Sequence, residues 1–199
     1  MKEALAIAVG YLLGSMPWGY WLPRILTGVN IRKIGSGNTG AANVWRTQGF
    51  KLGLSVALLD VAKGLAAALL GVWLGNELIG LLAGIAALIG HWRPLFIGFG
   101  RGGKIVATTG GVTLALAPFA TLAVAGVWIA TFLVTRYTSV ASLLSAAALP
   151  LFAILFGASW LVVAFTAGAA VAIFALHRAN IARLLNRTEN RFELGRRTT

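Results

Sequence analysis

The sequence predicts an all-α, polytopic membrane protein, and three observations carry that prediction. Of its 199 residues, 58% are hydrophobic and only 11% charged, whereas roughly a quarter of a soluble domain is charged. The apolar residues gather into runs of about twenty, the length a helix needs to cross the hydrocarbon core. The basic residues are nearly absent from those runs and crowd between them and at the C-terminus, as the positive-inside bias of polytopic proteins requires. The length suits one unit rather than two, so 1–199 is expected to be a single integral membrane domain.

After Lys2 and Glu3 an apolar run extends to Leu22 without a small-residue cleavage site, so 4–22 is expected to be a retained first span and not a signal peptide. The next stretch carries Arg24, Arg32, Lys33, Arg46 and Lys51, which places it in the cytoplasm. Spans over 52–74 and 78–97 come next, joined by an outside turn whose charge is Glu77, and Arg93, Arg101 and Lys104 mark the return inside. The apolar stretch 105–134 is interrupted at Ala117-Pro118, where proline removes a helical hydrogen bond and disfavours the α region for its predecessor. A single crossing there would leave Arg136 and the basic C-terminal stretch outside; a bend at Pro118 keeps both inside. The segment 105–116, about 18 Å long as a helix, is therefore expected to be a half-depth, re-entrant element. Spans over 138–157 and 158–176 complete about seven transmembrane or half-membrane helices, with the N-terminus outside and the C-terminus cytoplasmic. Residues 188–199 are polar and expected to form a flexible tail.

The net charge of +12 results from this loop bias and does not call for nucleic acid as a partner. The absence of cysteine excludes disulfides and thiolate metal sites, and two histidines with five acidic residues leave little for any metal. No metal and no cofactor is expected.

On this topology three donor-rich stretches, 30–49, 91–109 and 177–191, reach one face. In the first, Gly35, Ser36, Gly37, Asn38, Asn43 and Arg46 combine hydroxyl, amide and guanidinium donors with a backbone that glycine lets approach a ligand closely. The arginine fork suits phosphate, although a tight turn with Arg46 reaching lipid headgroups fits the same residues. These glycines also argue against a sturdy helix. The second stretch holds His91 and places Gly98, Gly103 and Lys104 at the spacing of a nucleotide-binding loop, but Ile105 stands where the magnesium-holding Ser/Thr belongs, which excludes nucleotide hydrolysis. What survives is an anion device: the amides of Gly102 and Gly103, a helix start near Ile105, and Lys104. In the third, His177, Asn180 and Arg183 recur at i, i+3 spacing on one helix face, where an amphipathic headgroup-binding segment is the plainer alternative. Asp60 and Lys63, inside a span, are spaced to pair. Ser142 lies in a hydroxyl-bearing segment, Arg136 to Ser142, near the cytoplasmic end of another span.

In order along nearly the whole chain, these stretches resemble the bacterial PlsY family of glycerol-3-phosphate acyltransferases, which use acyl phosphate. The motifs are G-S-G-N-x-G-x-x-N-x-x-R from Gly35 to Arg46, and G-H-x-x-P-x-F with G-G-K and V-A-T from Gly90 to Thr108. The last is H-x-x-N-I-x-R-L from His177 to Leu184, with Glu189 beyond it; Leu59 to Gly64 and Arg136 to Ser142 are also similar to the family's. The chain departs from the pattern at Asn30, Ala42, Ile105 and Arg187; the last two replace a small residue and a glycine, and the loop before Gly102 is one residue longer.

The resemblance implies acyl transfer from acyl phosphate to sn-glycerol 3-phosphate, releasing phosphate, at the bacterial inner membrane with the active site facing the cytoplasm. Acyl phosphate is a mixed anhydride with a good leaving group, so positioning and charge neutralisation suffice without a covalent nucleophile. No Ser-His-Asp pattern and no H-x4-D pair of acyl-CoA-dependent enzymes is present, which makes acyl-CoA an unexpected donor. Catalysis is expected from Ser36, Arg46, Lys104, His177 and Asn180, and substrate binding from Gly35, Gly37, Asn38, Asn43, His91, Gly102, Gly103, Ser142 and Arg183. The base is either His177 or the donor's own phosphate. Membrane lipids are the remaining expected partners. The competing functions are a transporter or channel for a small phosphorylated anion, which needs polarity through the bilayer midplane, and a lipid-binding protein without activity.

Overall fold

The computed structural model describes residues 1–192, which hold ten α-helices and divide between two compact units, one of Met1–Pro118 and one that begins at Phe119. In the first unit, helix α1 (Lys2–Ser15) gives way at Met16-Pro17 to α2 (Trp18–Thr27). The expected span 4–22 is therefore broken. Pro17 has no N–H to continue the ladder, Met16 takes an extended conformation, and the Met16 carbonyl accepts instead from Lys63 Nζ at 3.0 Å. A short helix, α3 (Ala41–Gln48), occupies part of the stretch whose glycines favour a loop; those glycines stop at Gly40, its N-cap. The 25-residue α4 (Phe50–Leu74) is the centre of this unit, packed by α1, α3, α5 (Glu77–Trp92) and α6 (Val106–Leu116). The third expected span, 78–97, ends as α-helix at Trp92, two residues before Pro94, and finishes in a 3-10 turn, Leu95–Ile97.

These helices touch through their backbones. Gly10 and Gly14 of α1 lie against Ala83 and Ala87 of α5, Gly64 of α4 lies against the Thr108 carbonyl of α6, and Gly111 of α6 lies against the Val61 carbonyl of α4. In lipid, apolar side chains gain little by leaving the solvent, so close approach of small residues supplies the contact energy. Outward, Leu58, Leu69 and Trp73 of α4 stay exposed, as a lipid-facing surface should.

The second unit runs through α7 (Pro118–Thr135), α8 (Thr138–Leu155), α9 (Trp160–Leu176) and α10 (Arg178–Leu185). Pro118 opens α7, where its missing N–H has no ladder to interrupt. Ser159 caps α9 by accepting from Val162 N at 3.3 Å. At His177 the chain bends by 59° from α9 into α10. The start of the expected flexible tail, from residue 188, is instead anchored. Phe192 donates its N–H to the Arg136 carbonyl at 2.9 Å and sets its ring edge-on to Phe132, 5.5 Å between centroids. The remainder of that expected tail, 193–199, lies outside the described residues.

All seven membrane segments expected from the sequence are helical, but among the described residues four helices are long and apolar enough to cross a membrane, or five if α9 and α10 form one broken span. The protein is thus an all-helical integral membrane protein. α1 and α6, with 14 and 11 residues, fall short of that length.

The backbone contacts yield a paired test. Gly64→Ala would drive a methyl onto the Thr108 carbonyl, whereas a methyl added at Gly126 of α7 would have nothing within 4 Å. Gly64→Ala is expected to destabilise by about 1–3 kcal/mol, and Gly126→Ala to stabilise by about 0.5–1 kcal/mol through lower chain entropy. Thermal unfolding in one detergent would show midpoints moving in opposite directions.

Candidate active site

The stretch 30–49 is organised around one amide. Asn43, buried on the first turn of α3, donates from Nδ2 to the carbonyls of Asn38 (3.0 Å), Ile34 (3.2 Å) and Ile31 (3.4 Å). Its Oδ1 accepts the Ser36 N–H at 2.9 Å. Asn38 Oδ1 accepts from Gly40 N at 2.7 Å. Both asparagines, expected to contact phosphate, therefore have side-chain oxygens committed to shaping the loop, and Asn43 also has its amide nitrogen committed. Gly35 and Gly37 are left-handed, φ +58° and +67°, and a methyl on Gly35 would meet Asn43 Oδ1. This fold leaves Ser36 exposed at the loop's tip and Arg46 half-buried one turn beyond Asn43 on α3.

The glycine-lysine stretch folds back on the end of α5. Gly102 N donates to the Trp92 carbonyl and Gly103 N to the His91 carbonyl, each at 3.0 Å. Those two amides, expected to cradle phosphate, are thus bonded within the protein. What the glycines provide instead is closeness, since a methyl on Gly103 would fall on the His91 ring. Lys104 comes next, half-buried, and then Ile105, which is buried and left-handed at φ +60° immediately before α6. A β-branched residue is an outlier there, which explains why the family pattern has a small residue at this position. The amides of the first turn of α6 remain the anion-favouring backbone of this segment.

His91 itself is buried beneath that turn, its Nδ1 3.5 Å from Asp60 Oδ1. The spacing of Asp60 and Lys63 predicts a pair, and Lys63 Nζ stands 2.8 Å from Asp60 Oδ1. The His91 ring thus lies between Asp60 and the turn at Gly103.

In the second unit the polar residues meet on a carboxylate that carries no catalytic or binding expectation from the sequence. Glu189 Oε1 accepts from Asn180 Nδ2 at 2.6 Å and from Ser139 Oγ at 2.8 Å, while Oε2 accepts from Arg183 Nε at 2.6 Å. The shared face expected of Asn180 and Arg183 is thus real, with Glu189 as what it faces. The only sequence signal for Glu189 is its place after the third motif. Arg187, two residues earlier, is left-handed at φ +57°, the reason that position favours glycine. Burial of the Glu189 side chain works against its charge, but the hydrogen bonds from Asn180, Ser139 and Arg183 and the Arg183 charge outweigh it, holding the carboxyl below its usual range. Ser142 is buried and accepts from Trp128 Nε1 at 3.3 Å.

His177 is buried at the bend between α9 and α10, its Nδ1 2.8 Å from the Ile173 carbonyl. A carbonyl can only accept, so Nδ1 carries the proton, and in the neutral ring Nε2 holds the lone pair. The first unit thus presents cationic and hydroxyl groups suited to anions, and the second presents a histidine whose tautomer is set for accepting a proton. Among the described residues no group of three or more His, Cys, Asp or Glu is arranged to hold a metal ion.

Residues 4–187 match the family model described as glycerol-3-phosphate acyltransferase. The chain is 47% identical over 188 residues to a glycerol-3-phosphate acyltransferase of Desulforudis audaxviator, covering 94% of each chain. It is 46% identical over 191 residues to one of Synechococcus sp., covering 96% of this chain and 94% of the other. Among solved structures it is similar to the integral membrane glycerol 3-phosphate acyltransferase PlsY (YgiH) in its glycerol 3-phosphate form, with TM-score 0.91 and 37% identity over 97% of this chain and 96% of that one. The lysophosphatidic acid form of PlsY matches with TM-score 0.89 over the same shares.

The carboxylate hub gives a pH test. A depressed folded pKa means Glu189 contributes stability in full above its unfolded value, near 4.5, and that contribution is lost as pH falls through the lower folded value. Thermal midpoints of the wild type should therefore fall more steeply than those of Glu189→Gln as the medium is acidified below that value, with the wild type the more stable at neutral pH. Parallel curves would show that the charge of Glu189 does not contribute.

Proposed function

The chain belongs to the PlsY-type glycerol-3-phosphate acyltransferase family, and from that premise we propose how its residues perform the transfer and which donor they take. The enzyme acylates glycerol 3-phosphate to lysophosphatidic acid. The donor is acyl phosphate, a mixed anhydride whose carbonyl is already activated and whose leaving group is phosphate. Attack is direct: the glycerol hydroxyl bonds to the acyl carbon, its proton passes to a base, and the acyl C–O bond to phosphate breaks with the electron pair leaving on phosphate oxygen.

His177 is the base, and the observation that carries this assignment is the Nδ1 contact to the Ile173 carbonyl, which leaves Nε2 as the proton acceptor. Ser36, Arg46 and Lys104 bind the phosphates and neutralise the charge that builds on them, an electrostatic contribution that needs no metal or cofactor. Asn180 and Arg183, fixed by Glu189, orient the glycerol phosphate, and Ser142 supplies a further hydroxyl. Gly35, Gly37, Asn38 and Asn43 hold the first loop in shape.

Purified protein given palmitoyl phosphate should release inorganic phosphate only when glycerol 3-phosphate is present, and palmitoyl-CoA should give no product. His177→Gln is expected to lower kcat by about a hundredfold or more with little change in KM. Near-normal turnover by that variant would make the donor phosphate the base instead.

The N-terminus lies outside and the C-terminus in the cytoplasm of a bacterial inner membrane, with the reacting groups on the cytoplasmic side. The distribution of basic residues between the apolar segments supports this orientation. The chain has no cysteine, so single cysteines can report it directly. One at Asn76 should react with an impermeant thiol reagent in intact cells, and one at Arg187 only after permeabilisation. The reverse pattern would invert the topology.

A further inference from the structure

Three ionisable side chains in the first unit, Asp60, Lys63 and His91, are each at most 6% exposed and have no part in the transfer described above. Charges at membrane depth are costly, and chains keep them where they have work to do. Their connections point to the glycine-lysine turn. His91 fixes that turn through two separate contacts. Its carbonyl accepts the Gly103 N–H at 3.0 Å, and its ring occupies the space where a Gly103 side chain would begin. Gly102 is held in the same way, with its N–H on the Trp92 carbonyl and its α-carbon against the His91 carbonyl. The orientation of the ring is in turn set by Asp60 Oδ1, 3.5 Å from Nδ1. Asp60 is itself held by Lys63 Nζ at 2.8 Å, and Lys63 is tied at its far side to the Met16 carbonyl at 3.0 Å.

We propose that Asp60 and His91 are positioning residues of the acyl transfer, Asp60 orienting the imidazole whose edge fixes Gly103 and so the place from which Lys104 presents its ammonium. The inference rests on Lys104 binding a substrate phosphate. A cluster that merely glued helices together would affect unfolding and leave substrate binding alone. A cluster that sets the turn acts on glycerol 3-phosphate through Lys104 and through nothing else.

The test uses the full chain in detergent, with KM and kcat for glycerol 3-phosphate and thermal unfolding measured on the same preparations. His91→Asn keeps a donor near Asp60 but removes the ring edge from Gly103. It is expected to raise KM about tenfold, the scale seen when supporting groups of a site are lost, with a smaller change in kcat. Asp60→Leu with Lys63→Met replaces the ion pair by apolar side chains, an exchange that folds tolerate, and should raise KM likewise. In a Lys104→Gln background, His91→Asn should add less than about twofold, because both changes remove the same interaction. The proposal is overturned if the folded Asp60/Lys63 double variant keeps a KM within about twofold of wild type, a result that stands even where His91→Asn fails to fold. Full additivity of His91→Asn with Lys104→Gln would overturn it too. If Lys104→Gln itself leaves KM unchanged, the phosphate role of Lys104 fails first; if Lys104→Gln raises KM and the other variants do not, only the positioning role fails.

Discussion

A single ammonium in the interior of the first unit ties its organisation together. Lys63 meets Asp60 on its own helix and the Met16 carbonyl at the break between α1 and α2. Each contact answers a need. The helix that stops before Pro17 leaves carbonyls without ladder partners, and in a hydrocarbon surround such groups are expensive. An aspartate at the same depth needs a counter-charge. One side chain satisfies both, and the same Asp60 oxygen also meets His91 at the end of α5. Removing one partner would leave an uncompensated buried charge, a much larger penalty than the pair's own net contribution.

The two units handle polar groups differently. In the first, backbone and side-chain donors turn inward: Asn43 knits together the loop 30–40, and the amides of Gly102 and Gly103 close on the end of α5. Ser36 is exposed on this frame, and Arg46 and Lys104 are half-buried in it. In the second, a carboxylate does the ordering. Glu189 gathers Ser139, Asn180 and Arg183 from two helices, and Phe192 seats the chain just beyond it on Phe132. In both arrangements one side chain is held by several partners at once, which fixes the backbone or the helices around it.

Much of this is legible in the sequence. Hydropathy and proline locate seven helical segments, and the interruption before Pro118 falls where α6 ends and α7 begins. The i, i+3 spacing of Asp60 and Lys63 correctly gives their pairing, since it depends only on helix geometry. The break at Pro17 escapes the hydropathy pattern because the apolar run continues through it, and hydropathy does not register a lost hydrogen bond. Residue type also fails to tell display from scaffolding. Asn38 and Asn43 are as suited to phosphate as to a backbone carbonyl, and only their neighbours in space decide. His91 and Glu189 are hard to place for the same reason: their partners lie 31 and 50 residues away in sequence, at Asp60 and Ser139.

The glycine seams between α1, α4, α5 and α6 have an evolutionary consequence. Where Gly14 meets Ala87 and Gly64 meets Thr108, backbone fills the space that any larger side chain would need. On the outer faces, Leu58, Leu69 and Trp73 are exposed, and a lipid surround accepts any apolar shape. Sequence drift is therefore channelled. Large side chains can be exchanged freely around the rim of this unit, while its smallest residues record ancestry, so for such a protein the glycines identify kinship better than the bulk of its apolar surface.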